Sequence, residues 1–152
     1  MNVERADDLK GRHRVFIVHG HDSAAMFELK DFLTSLGLEP IILFQQDDKG
    51  MTVIEKFERF APSCEFAFVL LTPDDRQAAD LPRGERWRAR QNVILEMGWF
   101  MARLGRPRVV LLHKGEVELP SDILGVLYLP FKSSVFEVSE RIRQRLNGEG
   151  LL

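Results

Sequence analysis

Apolar residues in this chain fall into short continuous runs separated by longer segments of helical period. The runs Val15 to Val18, Pro40 to Phe44, Phe66 to Leu71, Val109 to Leu112 and Val126 to Leu129 read as five strands. Continuous apolar character, rather than alternation, is the mark of strands buried on both faces. The first intervening segment opens at Asp22 or Ser23, carries Ala25, Leu29, Phe32, Leu33 and Leu36, and places Gly37 where a helix C′ residue belongs. In the second, Thr52 and Glu55 form a capping box ahead of Ile54, Phe57 and Phe60, and Pro62-Ser63 ends it. The third, Arg90 to Met101, predicts a largely buried helix that stops at Gly105-Arg106-Pro107. A second capping box, Ser134 and Glu137, opens the last helix. Its stripe is Val135, Val138, Ile142 and Leu146, and Gly148 ends it.

Strands alternating with helices predict an α/β domain. The architecture is a flavodoxin-like doubly wound sheet of five mainly parallel strands with helices on both faces. Such sheets bind ligands beyond the carboxyl ends of their strands, at the switch point in strand order. The segments expected there are 19–23, 45–50, 72–90 and the loop after His113. Residues 1–12 read as a flexible lead-in or linker, 13–147 as one domain, and 148–152 as a tail.

Composition narrows the class. The 152 residues suffice for one domain with a substantial core, and 45% hydrophobic with 29% charged residues is ordinary for a soluble protein. A net charge of -2 gives no support for nucleic-acid binding. The single cysteine, Cys64, excludes an intramolecular disulfide and fits a cytoplasmic location. The charged N-terminus is no signal peptide, and no apolar run is long enough to span a bilayer.

Glu96 stands in the middle of the apolar run of the third helix, and an ionised carboxylate there requires either a partner or a use. Helical spacing sets Glu85, Arg88, Asn92, Glu96 and Arg103 along one stripe, so an exposed polar face is one account and a site is the other. Trp99 and Phe100 are expected in the core rather than stacked on a ligand. The loop His19-Gly20-His21-Asp22 reads as a ligand-binding loop or as a plain cap and turn. The His-x-His pair lacks nearby cysteines, so no metal site is assigned. Asp74 and Asp75 read equally as a turn or as groups for a metal or ribose hydroxyls, and only weakly as a phospho-acceptor site. Arg76, Arg83, Arg86, Arg88 and Arg90 suit phosphate groups, although a charge-rich segment is more often simply solvated, and its length favours a lid or an interface over a simple connector.

Three blocks together resemble a bacterial TIR-like domain: Val-Phe-Ile-Val-His-Gly-His-Asp (15–22), Leu-Leu-Thr-Pro-Asp-Asp (70–75) and Arg-Ala-Arg-Gln-Asn-Val-Ile-Leu-Glu-Met-Gly-Trp-Phe (88–100). The nearest group is the predicted nucleotide-binding TIR-like family. Its members serve as effector domains of cyclic-nucleotide-activated antiphage defence, as in TIR–STING and Pycsar systems. The resemblance covers about residues 13 to 147. It implies NAD+ glycohydrolase activity with NAD+ as substrate and no cofactor, with Glu96 catalytic. His19, Gly20, His21 and Asp22 would line the substrate, with Asp74, Asp75, Arg90 and Asn92 as further binding candidates. The BB loop, about Gln45 to Met51, would carry self-assembly into an oligomer or filament, and a cyclic-nucleotide sensor would act in cis or in trans. No sensor domain is visible in the sequence, so the expectation is an excised domain or a protein recruited otherwise.

The chemistry agrees with that implication. Cleaving a nicotinamide–ribose bond develops oxocarbenium character, which one carboxylate near the ribose can stabilise. Nicotinamide leaves as a neutral molecule, so a strong general acid is not required. Two rivals share these residues: a TIR-type interaction module without catalysis, and a nucleoside deoxyribosyltransferase-like enzyme.

Overall fold

The computed structural model describes residues 11–47, 49–73, 75–76, 87–88, 91–115, 117–119 and 125–152; of 75, 76, 87, 88 and 118 it describes the backbone. In chain order the strands are β1 (Arg14–Val18), β2 (Glu39–Ile41), β3 (Phe66–Leu71), β4 (Asp75–Arg76), β5 (Trp87–Arg88), β6 (Val109–Lys114), β7 (Val117–Glu118) and β8 (Leu127–Phe131). The α-helices are α1 (Ser23–Ser35), α2 (Val53–Phe60), α3 (Gln91–Leu104) and α4 (Ser139–Gly148). The main sheet has the order β2-β1-β3-β6-β8, and every neighbouring pair is parallel. This is the α/β doubly wound arrangement expected from the alternation of elements.

Period-two alternation within the strands divides the core in two. Val15, Ile17, Phe66, Phe68, Leu70, Val110 and Leu112 meet α1 and α4 on one face of the sheet. Phe16, Val18, Ala67, Val69, Leu71, Val109 and Leu111 meet α2 and α3 on the other. Both sets are buried, which is why residues 15–18, 66–71 and 109–112 run without a polar position. On the second face Phe16, Phe57, Phe100 and Trp99 form a ring cluster with centroid distances of 4.9–5.7 Å. Fully burying a side chain such as Phe100 stabilises by about 1.5–3 kcal/mol, so this cluster fixes α2 and α3 against β1.

Several elements differ from expectation. The second strand stops at Ile41, and Leu43–Gln45 turns as a 3-10 helix closed by Gln45 N–H to Ile42 carbonyl. This tight turn leaves Phe44 55% exposed rather than buried in a strand. The second capping box opens a 3-10 turn, Val135–Val138, before α4 begins. The last helix includes Gly148; Glu149 caps it and Gly150 takes the positive φ. Leu151, expected in a tail, packs into the core. The segment from Arg76 to Arg88 has paired ends: β4 and β5 are antiparallel, and β5 runs parallel to β7 in a second, small sheet. Residues 77–86, including Arg83 and Arg86, lie outside the described residues.

Cys64 is buried, and burial pushes its thiol up to about 12. It is a packing residue, unionised at neutral pH.

Candidate functional site

Order reversal places the switch point beside β1. The chain leaves β1 through α1 to β2 on one side, and returns through α2 to β3 on the other. At the carboxyl ends of β1 and β2 opens a cavity of about 310 Å³ lined by Phe16, Ile17, His19, Leu43, Phe44, Val53, Lys56, Asn92 and Glu96. Its volume is at the lower end of the range for small-molecule sites.

Each wall follows from a local rule. Strand β1 ends at Val18, so His19 is the first residue free of the sheet. Its Nδ1–H donates to the Gly20 carbonyl at 2.8 Å, which leaves Nε2 as the acceptor nitrogen of the neutral ring. The ring stands edge-on to Phe44 at 5.4 Å. Asn92 and Glu96 are four residues apart on α3, one turn above the other, and line the same wall.

The helix of Glu96 is less buried than its composition predicts. Val93, Met97 and Phe100 face the sheet and are buried, whereas Leu95 is 67% exposed and Glu96 is partly exposed. The physical reason is a second opening. A groove of about 360 Å³ runs between α2 and α3, lined by Val53, Ile54, Phe57, Glu58, Asn92, Leu95, Glu96 and Trp99. Leu95, which pattern alone assigns to the core, lines this groove instead. Phe100 is in the core as expected; Trp99 packs on Phe57 at 5.1 Å and also borders the groove. Glu96, Asn92 and Val53 are common to both openings.

Not all of the expected residues converge. Asp22 lines neither opening. Its side chain caps α1 by accepting the Ala25 N–H at 3.0 Å, and it pairs with Lys114 at 2.7 Å across to the end of β6. Burial pushes this carboxyl up, but the Lys114 ammonium and the Ala25 and Ala24 N–H groups outweigh it and hold the carboxyl below its ordinary value. His21 is exposed, and neither it nor Gly20 lines the cavity. Asp74 and Arg90, and the Asp75 side chain, lie outside the described residues. Among the described residues no three His, Cys, Asp or Glu side chains gather as a metal site would require. Phe44, Val53 and Lys56 line the cavity without having been singled out by sequence. The capping box at Thr52 was the available signal, because it puts the first turn of α2 beside the second-strand loop.

The segment Gln45 to Met51 follows Phe44 in the chain, and none of its described residues lines the cavity. Lys49 and Gly50 both take positive φ (44° and 79°), and Asp47 accepts the Lys49 N–H at 3.2 Å. Asp48 lies outside the described residues.

A family model described as "CAP12/Pycsar effector protein, TIR domain" matches residues 14–133. The chain belongs to this TIR-domain family. The TIR domain shares 49% identity over 115 residues with the Uncharacterized protein YuaY of Escherichia coli (strain K12), covering 76% of this chain and 38% of that protein. It is 32% identical to Protein tirC of Dictyostelium discoideum over 141 residues, covering 86% and 70%. It is 36% identical to the Pycsar effector protein BcPycTIR of Burkholderia cepacia over 131 residues, covering 78% and 40%. The chain thus spans about two fifths of the YuaY and BcPycTIR proteins. Among solved structures, the Clostridium botulinum CMP N-glycosidase BcmB superposes with a TM-score of 0.53 at 16% identity, covering 88% of this chain and 98% of that one, a likeness of fold. Among the described residues no helix is long and apolar enough to cross a membrane.

Proposed function

We propose that this TIR domain is an NAD+ glycohydrolase in which Glu96 acts on the ribose. One observation carries the reading: the motif glutamate lines a cavity at the switch point of the sheet together with Asn92 and His19. Ribose C1′ sits against the Glu96 carboxylate. The C1′–N bond breaks, its electron pair leaves with neutral nicotinamide, and the carboxylate stabilises the oxocarbenium that remains. Water then forms the new C1′–O bond and releases a proton, giving ADP-ribose; attack by an adenine nitrogen in place of water gives a cyclised form. Asn92 and the Nε2 of His19 are suited to hold hydroxyl or amide groups of the substrate. The buried Phe16 and Ile17 form the apolar part of the lining and strengthen these contacts by lowering the local polarity.

In the cell the domain acts as a soluble cytoplasmic defence effector. A cyclic-nucleotide sensor, in cis or in trans, gathers copies into an oligomer or filament through the Gln45–Met51 loop. The family membership and the greater length of the BcPycTIR relative support that arrangement.

The test is nicotinamide release from NAD+, measured by chromatography at high protein concentration or on a crowding surface, with wild type and Glu96→Gln side by side. Release by the wild type, lost in a folded variant, is expected; full activity in Glu96→Gln would sink the assignment. A second reading, an interaction module without catalysis, draws on the exposed apolar residues Val53 (69%), Ile54 and Leu95 at the α2–α3 groove. Silence of the assembled wild type on NAD+ favours it. Turnover of deoxynucleosides in preference to NAD+ favours a deoxyribosyltransferase-like enzyme.

A further inference from the structure

Lys56 is the one cation among the described residues lining the Glu96 cavity. Its helix is set by the Thr52–Glu55 capping box, which fixes the first turn of α2 at the cavity wall. Among the described residues its ammonium has neither an ion-pair nor a hydrogen-bond partner. That distinguishes it from Lys114 at the end of β6, whose charge is neutralised by Asp22 at 2.7 Å. An exposed lysine without a partner is commonplace. A lysine without a partner that shares a cavity of about 310 Å³ with a carboxylate makes the cavity dipolar, and a ligand must match both signs.

A nicotinamide dinucleotide has the complementary order of charge. Its pyridinium is cationic beside the scissile bond, and its pyrophosphate is anionic beyond the ribose. With the pyridinium-bearing carbon at Glu96, the pyrophosphate is the part of the substrate that a cation on the same cavity wall can take up. A nucleoside has no second charge to place. We propose, resting on the NAD+ reading above, that Lys56 is the pyrophosphate-binding residue of this site and makes it selective for phosphate-bearing nicotinamide nucleotides over nucleosides.

The experiment compares wild type, Lys56→Gln and Lys56→Arg on NAD+ and on nicotinamide riboside, under the assembling conditions used for the glutamate test. A charge-assisted hydrogen bond of about 1.5–3 kcal/mol corresponds to roughly 10–100-fold. The ratio of kcat/KM for NAD+ over the riboside is expected to fall by that factor in Lys56→Gln and to recover in Lys56→Arg. An equal loss on both substrates, or no loss, overturns the proposal. Titration calorimetry with ADP-ribose separates this from failure of the hydrolase reading. If the wild type cleaves neither substrate, ADP-ribose binding weakened about 10–100-fold in Lys56→Gln, with adenosine binding not weakened in proportion, still supports Lys56 as the pyrophosphate site. ADP-ribose binding that is equal in the two proteins, or absent from both, overturns it.

Discussion

Asp22 and Glu96 are both carboxylates at the carboxyl edge of one sheet, and their surroundings differ in kind. Asp22 is enclosed by donors: a backbone N–H from Ala25 and the ammonium of Lys114. Those contacts join the first loop to the end of β6 and hold the carboxyl in its ionised form. Glu96 lies on the wall between two openings, and lines one of them with His19, Lys56 and Asn92. The comparison teaches that an acidic residue in a motif loop is a site residue only when the fold leaves it facing a space a ligand can fill. Asp22 stabilises the edge on which the cavity is built, whereas Glu96 lines the cavity itself.

Removing the Glu96 charge is the strongest way to break the contrast. Glu96→Gln is expected to lower nicotinamide release by at least about 100-fold, the size of a lost electrostatic contact in a transition state. Its thermal midpoint should stay within a few degrees of wild type, because the side chain is partly exposed. A large stability loss would make Glu96 a structural residue and reverse its role with that of Asp22.

The converse substitution acts on stability. Asp22→Ala removes the cap of α1 and leaves Lys114 unpaired, with an expected cost of about 2 kcal/mol in urea unfolding. Asp22→Asn keeps an N-cap oxygen and should recover about half of that. If Asp22→Asn instead abolished turnover at full stability, Asp22 would belong with Glu96 in the chemistry.

Acid titration sharpens the same point with a smaller effect. The folded pKa of Asp22 is depressed, so its contribution is fully present above the unfolded value of about 3.9 and is lost as pH falls through the folded value below it. The stability difference between wild type and Asp22→Asn should therefore be constant near neutrality and shrink below about pH 4. A difference that grows on acidification would contradict the direction of the shift.

The smallest effect tests the loop after Phe44. Lys49 occupies the left-handed region with φ of 44°, a conformation costing a side-chain-bearing residue about 1–2 kcal/mol. Lys49→Gly relieves this, and after the added freedom of the unfolded chain a net gain of roughly 0.5 kcal/mol is expected in chemical denaturation.

Much of this architecture was legible along the chain because it rests on local rules. Unbroken apolar runs mark strands covered on both faces, and the capping boxes at Thr52 and Ser134 locate two helical starts to the residue. The motif around Glu96 carried the family. The failures among the apolar residues have one cause in common. Residues of one apolar run can face a core or a groove, and hydrophobicity does not distinguish them. Phe44 looked like strand interior and is the exposed rim of the cavity; Leu95 looked like core and borders the α2–α3 groove. Asp22 looked like a ligand group because its cap is local, whereas Lys114, which pairs with it, comes from β6 at the far side of the chain.

Sequence by itself determined the α/β class, the family and the identity of the motif glutamate, since each depends on neighbours within a turn or a strand. Tertiary structure alone decided which polar residues share a cavity. His19, Lys56 and Glu96 come from the loop after β1, from α2 and from α3, and they meet only because a parallel sheet aligns its strand ends and the Phe16–Phe57–Phe100 cluster holds two helices against one face. Long-range packing sets that geometry, and no pattern confined to one segment records it.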